Sequence, residues 1–105
     1  MTERPYHYVI VRTDLTLPQQ LVQAAHASYE AGAAHGTPGW NGNMVMCQVA
    51  SEEQLEELAQ YMETEGIPHV VWREGDLNDQ ITSIATAPLQ QEKRRLLQRL
   101  DLWRP

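Results

Sequence analysis

Gln19, Gln23, His26 and Glu30 are separated by four, three and four residues, the spacing that places side chains on one face of an α-helix. A helix face turned only to water more often carries lysine and glutamate. Glutamine and histidine both donate and accept hydrogen bonds near neutral pH without fixed charge, which suits them to hold an ester, a ribose or a phosphate edge. A second polar group, Glu74, Asp76, Asn78, Asp79 and Thr82, spans the end of one candidate strand, a turn and the start of the next strand. Acidic and amide side chains favour turns on their own account. The group therefore gains chemical meaning only where that strand end lies beside the helix carrying His26.

Other common chemistries lack their signatures. There is no GxGxxG, no Walker-type loop, no CxxC, no HExxH and no GxSxG, so nucleotide cofactors and zinc lose their usual support. His7, His26, His35 and His69 stand apart from one another and from the single cysteine, which is not the spacing of a metal site. No metal and no cofactor are expected. Cys47 lies among apolar strand residues and reads as core; one cysteine cannot close an intrachain disulfide, so a reducing, cytoplasmic location is expected. No apolar stretch is long enough to span a membrane, and the start from Met1 to Pro5 lacks the cationic and apolar regions of a signal peptide. No membrane partner is expected.

The elements that must position these residues follow from local pattern. Tyr6 to Thr13 is β-branched and aromatic with an apolar middle at Tyr8, Val9, Ile10 and Val11, as in a central strand covered on both faces. Thr16 with Gln19 has capping-box spacing and Pro18 falls in the first turn, so a helix is predicted to about Ala34. Its alanines allow close approach to a sheet, with Leu21 and Val22 expected to supply bulk. The glycine-rich segment His35 to Asn43, which holds Trp40, reads as a loop, and Met44 to Ala50 as a second strand. Ser51 and Gln54 repeat the capping-box spacing, and Leu55, Leu58, Ala59 and Met62 keep helical periodicity with glutamates opposite. Gly66 fits the C′ position of that helix and Pro68 forbids its continuation. His69 to Glu74 is a third strand, Gly75 to Asp79 a short loop compatible with a hairpin, and Gln80 to Ala87 a fourth strand. Leu89 to Leu102 is predicted as a basic amphipathic helix. The expectation is a single α/β domain over 1–105 with a four-stranded mixed β-sheet flanked by helices, in the order β-α-β-α-β-β-α.

Length and composition agree with one packed domain. The 105 residues are 42% hydrophobic and 21% charged, close to globular averages, which excludes wholesale disorder. The formal charge of −6, taken as a total, opposes a polyanionic partner. Its distribution alters that reading, because Glu52, Glu53, Glu56, Glu57, Glu63 and Glu65 account for the excess and leave the rest of the chain neutral. Lys93, Arg94, Arg95, Arg99 and Arg104 crowd near the C-terminus, so a locally basic face is compatible with the total.

These residues resemble the archaeal and eukaryotic, or second, type of peptidyl-tRNA hydrolase. The resemblance rests on Val11-Arg-Thr-Asp14-Leu15, on Gln19-Leu-Val-Gln23-Ala-Ala-His26-Ala27, and on Glu74 with its following loop and Thr82-Ser-Ile-Ala-Thr-Ala-Pro88. It extends from about Tyr6 to Trp103. The chain departs from the usual pattern in three places: Gln19 stands where the family has lysine, Glu74 where it has aspartate, and the loop before Thr82 is shorter. With the Trp72-x-Glu74 pattern, these features look more like the divergent peptidyl-tRNA hydrolase domain-containing branch. The resemblance implies hydrolysis of the ester of peptidyl-tRNA or a related acylated tRNA, or alternatively a non-catalytic tRNA-, RNA- or protein-binding member of the same fold. It implies Glu74, or neutral His26, as base or water-orienter, with Thr82 and Gln23 as hydrogen-bond donors. Asp14 would order its loop and Gln19 would stand at the lysine position. Arg12, Arg73, Lys93, Arg94, Arg95 and Arg99 are the candidate phosphate contacts. The glutamate-rich second helix is expected to lie away from the site, and a homodimer anchored by Trp40 or Trp103 is an expectation from the family.

Overall fold

A computed structural model describes residues 4–36 and 43–105; the expectation for Trp40 lies outside the described residues. Strands β1 (Tyr6–Arg12), β2 (Asn43–Val49), β3 (His69–Glu74), β4 (Gln80–Thr86) and β5 (Asp101–Leu102) form one sheet in the order β3-β4-β1-β2-β5. β1 and β2 are parallel and the other pairs antiparallel. The sheet thus has five strands, not four. The predicted terminal helix is the reason for the difference: α3 (Gln91–Arg94) is one turn, followed by a 3₁₀ turn (Arg95–Leu97), and the chain then returns to pair with Cys47 and Gln48 of β2 as β5. Leu89 and Leu97 still enter the core, so the leucine pattern marks burial here without sustaining a long helix.

Helices α1 (Leu17–His35) and α2 (Glu52–Thr64) cover opposite faces. Alternation along β1 divides the core, with Tyr8 and Ile10 packed with Leu55 and Met62 of α2, and Val9 and Val11 packed with Ala24, Ala27 and Ala31 of α1. β1 is the central strand and Val9, Ile10 and Val11 are fully buried. Thr16 and Gln19 form both halves of the capping box. At α2 the Ser51 hydroxyl accepts from the Gln54 N–H, but the Gln54 side chain reaches the Ala50 N–H rather than that of Ser51. Gly66 has φ +67°, as a C′ position requires, and the Lys93 ammonium donates to the neighbouring Glu65 carbonyl.

The inner face of α1 differs from the predicted one. Leu21 and Val22 are about half exposed, whereas Gln20 and Gln23 are buried with the alanines. The close approach that alanine permits leaves no room for the branched side chains, while both glutamines find partners. Gln20 donates to the carbonyls of Leu15 and Thr13 and accepts from the Trp103 indole at 2.8 Å. Trp103, considered above as a dimer anchor, therefore closes the α1 face within its own chain.

Candidate functional site

The register of the β3–β4 hairpin slips at one point and builds the site. Trp72 pairs with Ser83 and Arg73 with Ile81, so Thr82 is an extra residue in β4. Such a bulge re-aims side chains. Ile81 and Ile84, three residues apart, both enter the α2-side core, and the adjacent Thr82 and Ser83 both reach α1. The backbone groups of Ile81 go to side chains: its N–H donates to Glu52 and its carbonyl accepts from Arg12.

Gln23 is the hub. Its side-chain carbonyl accepts the Thr82 hydroxyl at 2.7 Å, its Nε2 donates to Glu74 Oε2 at 3.0 Å, and its main-chain carbonyl accepts the Ser83 hydroxyl. This pattern fixes the orientation of the amide, because one oxygen and one nitrogen each have a single compatible partner. Thr82 and Ser83 are fully buried, whereas Glu74 is half-buried. The Gln23 amide holds the Glu74 carboxyl below its usual range, assisted by the Asp76 N–H, the Trp72 indole and nearby His26, against the opposing effect of desolvation. The hairpin turn contributes through a 3₁₀ turn at Gly75–Leu77 and left-handed Asn78 and Asp79, with φ +57° and +58°. These are residue types that tolerate that region.

His26, one turn beyond Gln23, stacks on Trp72 with ring centroids 4.6 Å apart and planes 12° from parallel. His26 is exposed. The Trp72 indole N–H is buried and has no hydrogen-bond partner among the described residues; it lies near enough to Glu74 to favour its ionised form without reaching hydrogen-bond geometry. Trp72 and Ser83 take part in the site although the motifs that contain them gave them no role there. The signal for Trp72 was present, since two residues on a strand place it on the same face as Glu74.

The other candidate residues are distributed differently. The Gln19 side chain accepts from the Thr16 N–H and serves the helix cap. Arg12 is buried, bidentate to Asp14 at 2.7 and 2.8 Å and donating to Gln80 and Ile81. It holds Asp14 below the usual carboxylate range, and four of its five N–H donors are taken within the chain. Arg73 is exposed, pairs with Ile81 on the α2-side face of the hairpin and donates to the Asp79 carbonyl. Lys93 caps α2, while Arg94 lies 3.7 Å over the Tyr6 ring and donates to the Tyr8 hydroxyl. Arg95 and Arg99 flank a groove with Leu58 and Tyr61 of α2. These four bases thus belong to the α2 side of the sheet and do not join Glu74. α2 packs on the opposite face of the sheet from α1 and His26, although Glu52 reaches around to the bulge.

Among the described residues no three of His, Cys, Asp and Glu converge as metal ligands, and no helix is long and apolar enough to cross a membrane. Cys47 is buried and its thiol is pushed up to about 11 by desolvation first and by Asp101 second, so it is not a nucleophile.

No curated protein matches the chain. Among solved structures, a protein of unknown function from Agrobacterium tumefaciens strain C58 superposes with a TM-score of 0.72 at 15% identity, over 98% of this chain and 100% of that one; at that identity the likeness concerns the fold. The family model described as Peptidyl-tRNA hydrolase PTH2 matches residues 6–102. The stretch includes Gln23, His26, Glu74 and Thr82 together with every strand of the sheet, and the chain belongs to the PTH2 peptidyl-tRNA hydrolase family.

Proposed function

We propose that this chain hydrolyses the ester between a peptidyl or related acyl group and the 3′ ribose of tRNA, releasing free tRNA without a metal ion. The observation that carries the reading is the Thr82–Gln23–Glu74 hydrogen-bond chain, which runs from buried Thr82 to half-buried Glu74 beside exposed His26. Ester hydrolysis requires a base for water and donors for the developing oxyanion. Glu74, held ionised by its donors, takes the proton from water. The Gln23 amide has a second N–H beyond the one given to Glu74, and it faces the developing negative charge on the ester oxygen. Thr82, donating to the Gln23 carbonyl, keeps that amide aimed. His26 stands beside the carboxylate as a second polar ring. The reaction belongs to cytoplasmic translation, where such esters arise.

One observation favours the alternative, a binding module for tRNA, RNA or a protein partner. Gln19 is committed to the helix cap, so no cationic side chain is supplied from the start of α1. Loss of one oxyanion donor costs about 10²- to 10³-fold in rate. Slow but measurable turnover is therefore the expected outcome. The test is incubation with an N-blocked aminoacyl-tRNA at low salt with chelator present, beside Glu74→Gln and Thr82→Val. Release of free tRNA by the wild type that Glu74→Gln abolishes supports the esterase. Saturable tRNA binding with no release selects the module, and release that both variants retain places the chemistry elsewhere.

A further inference from the structure

We propose that the Trp72–His26 pair is a nucleobase platform, on which the terminal base of the acylated RNA stacks over the outer face of the His26 ring. This inference rests on the esterase reading and names the part of the substrate that is held beside Glu74. The ester to be cleaved is on the terminal ribose, and the base hangs from the same five-membered ring, so a ribose placed at Glu74 brings its base within one sugar width of that carboxylate. His26 is near enough to Glu74 to act on its ionisation. One face of His26 lies against Trp72, with centroids 4.6 Å apart. His26 is nevertheless exposed, so its accessible surface is the opposite face and the ring edges.

Imidazole alone is a small platform. Backed by a partly buried indole that packs against the α1-side core, it is held in one orientation and presents a preorganised flat surface. Tyr29, three residues further along α1 and 77% exposed, adds a further aromatic ring on that side of the helix. Stacking of this kind tolerates any base because each has a π-face, and it supplies affinity where cations are scarce. That condition holds here, since Lys93, Arg94, Arg95 and Arg99 lie on the α2 side and Arg12 is engaged by Asp14. The Trp72 indole N–H, buried without a partner beside Glu74, gives a spectroscopic reporter at the same spot.

The test is a titration of the intact protein with adenosine 5′-monophosphate, followed through the NMR signals of the His26 ring and the Trp72 indole N–H. Ribose 5-phosphate serves as the base-free control. The expected result is a saturable response to the nucleotide and none to the sugar phosphate, with affinity weakened about tenfold in His26→Ala. Trp72→Leu, which removes the backing ring, is expected to weaken binding as well, while Trp72→Phe preserves most of it. Equal responses to the nucleotide and the sugar phosphate, or a His26→Ala variant that stays folded and binds the nucleotide as the wild type does, would overturn the platform. Since the readout needs no turnover, an absent nucleotide response in a protein that still hydrolyses acylated tRNA overturns the platform and spares the esterase. A selective response without hydrolysis supports the platform and rejects the esterase.

Discussion

The Glu74 carboxylate receives the Gln23 amide on one oxygen and the Asp76 N–H on the other. Both donors favour the charged form, so the folded-state pKa is depressed. A depressed carboxylate contributes stability that is fully present above the unfolded value, about 4.3, and is lost as pH falls through the folded value. The acid limb of kcat/KM is accordingly expected below that of an ordinary glutamate. Gln23→Leu withdraws the first donor and should move the limb to higher pH while slowing turnover by about 10²-fold; a pH–rate profile of the two proteins checks both. Thr82→Val leaves the Gln23 carbonyl oxygen without its donor in a buried place. The expected loss is about 1–3 kcal/mol, read from the denaturant midpoint, and Thr82→Ser should restore most of it.

At the scale of elements, the bulge in β4 and the inner face of α1 depend on each other. Without the extra residue at Thr82, Thr82 and Ser83 would point to opposite faces, and Gln23 would lose either its side-chain or its main-chain partner. β5 and the residues after it have a comparable role on the other side of α1. Trp103 bonds through its main-chain N–H to the Met46 carbonyl and through its indole to Gln20, whose amide in turn ties the entry of α1 to Thr13 and Leu15. Trp103→Ala removes apolar contact and leaves the Gln20 oxygen unpaired, with an expected cost of about 2 kcal/mol. Thermal unfolding measures that cost. A dimer anchored by Trp103, by contrast, would show concentration-dependent unfolding that the substitution abolishes.

Across the whole molecule the sheet separates two surfaces. The α1 side carries the polar cluster and the stacked rings, whereas the α2 side carries the glutamates and the C-terminal bases. Arg73 is exposed at the hairpin end of the sheet and is the candidate cation nearest to Glu74 along the chain. Arg73→Ala is expected to reduce the slope of log K against log salt for tRNA binding by about one unit. Arg99→Ala should leave the slope unchanged if the acceptor end alone is bound, and filter-binding titrations at several salt concentrations distinguish the two. Cys47, buried in the α2-side core with its thiol pushed up to about 11, should resist alkylation at pH 8 until the protein is unfolded.

Local pattern by itself determined the elements whose causes are local. The caps at Thr16 and Ser51, the stop at Gly66 and Pro68, the central β1 and the β3–β4 hairpin each depend on a few neighbouring residues, and each was legible in the chain. The face of α1 that carries Gln23 and His26 was legible for the same reason, as helical spacing fixes which side chains share a side. Only the tertiary structure decided what that face would meet. Whether a glutamine or a leucine lies inward depends on how near the sheet stands and whether an acceptor waits there, and neither is encoded in spacing. The fate of the C-terminal segment was settled in the same way: its leucines are periodic enough for a helix, yet the open edge of β2 offers Asp101 and Leu102 backbone partners. The bulge at Thr82, the reach of Arg12 to Gln80 and Ile81 and the stacking of His26 on Trp72 join residues distant in sequence or depend on strand register. They are set by the assembled sheet.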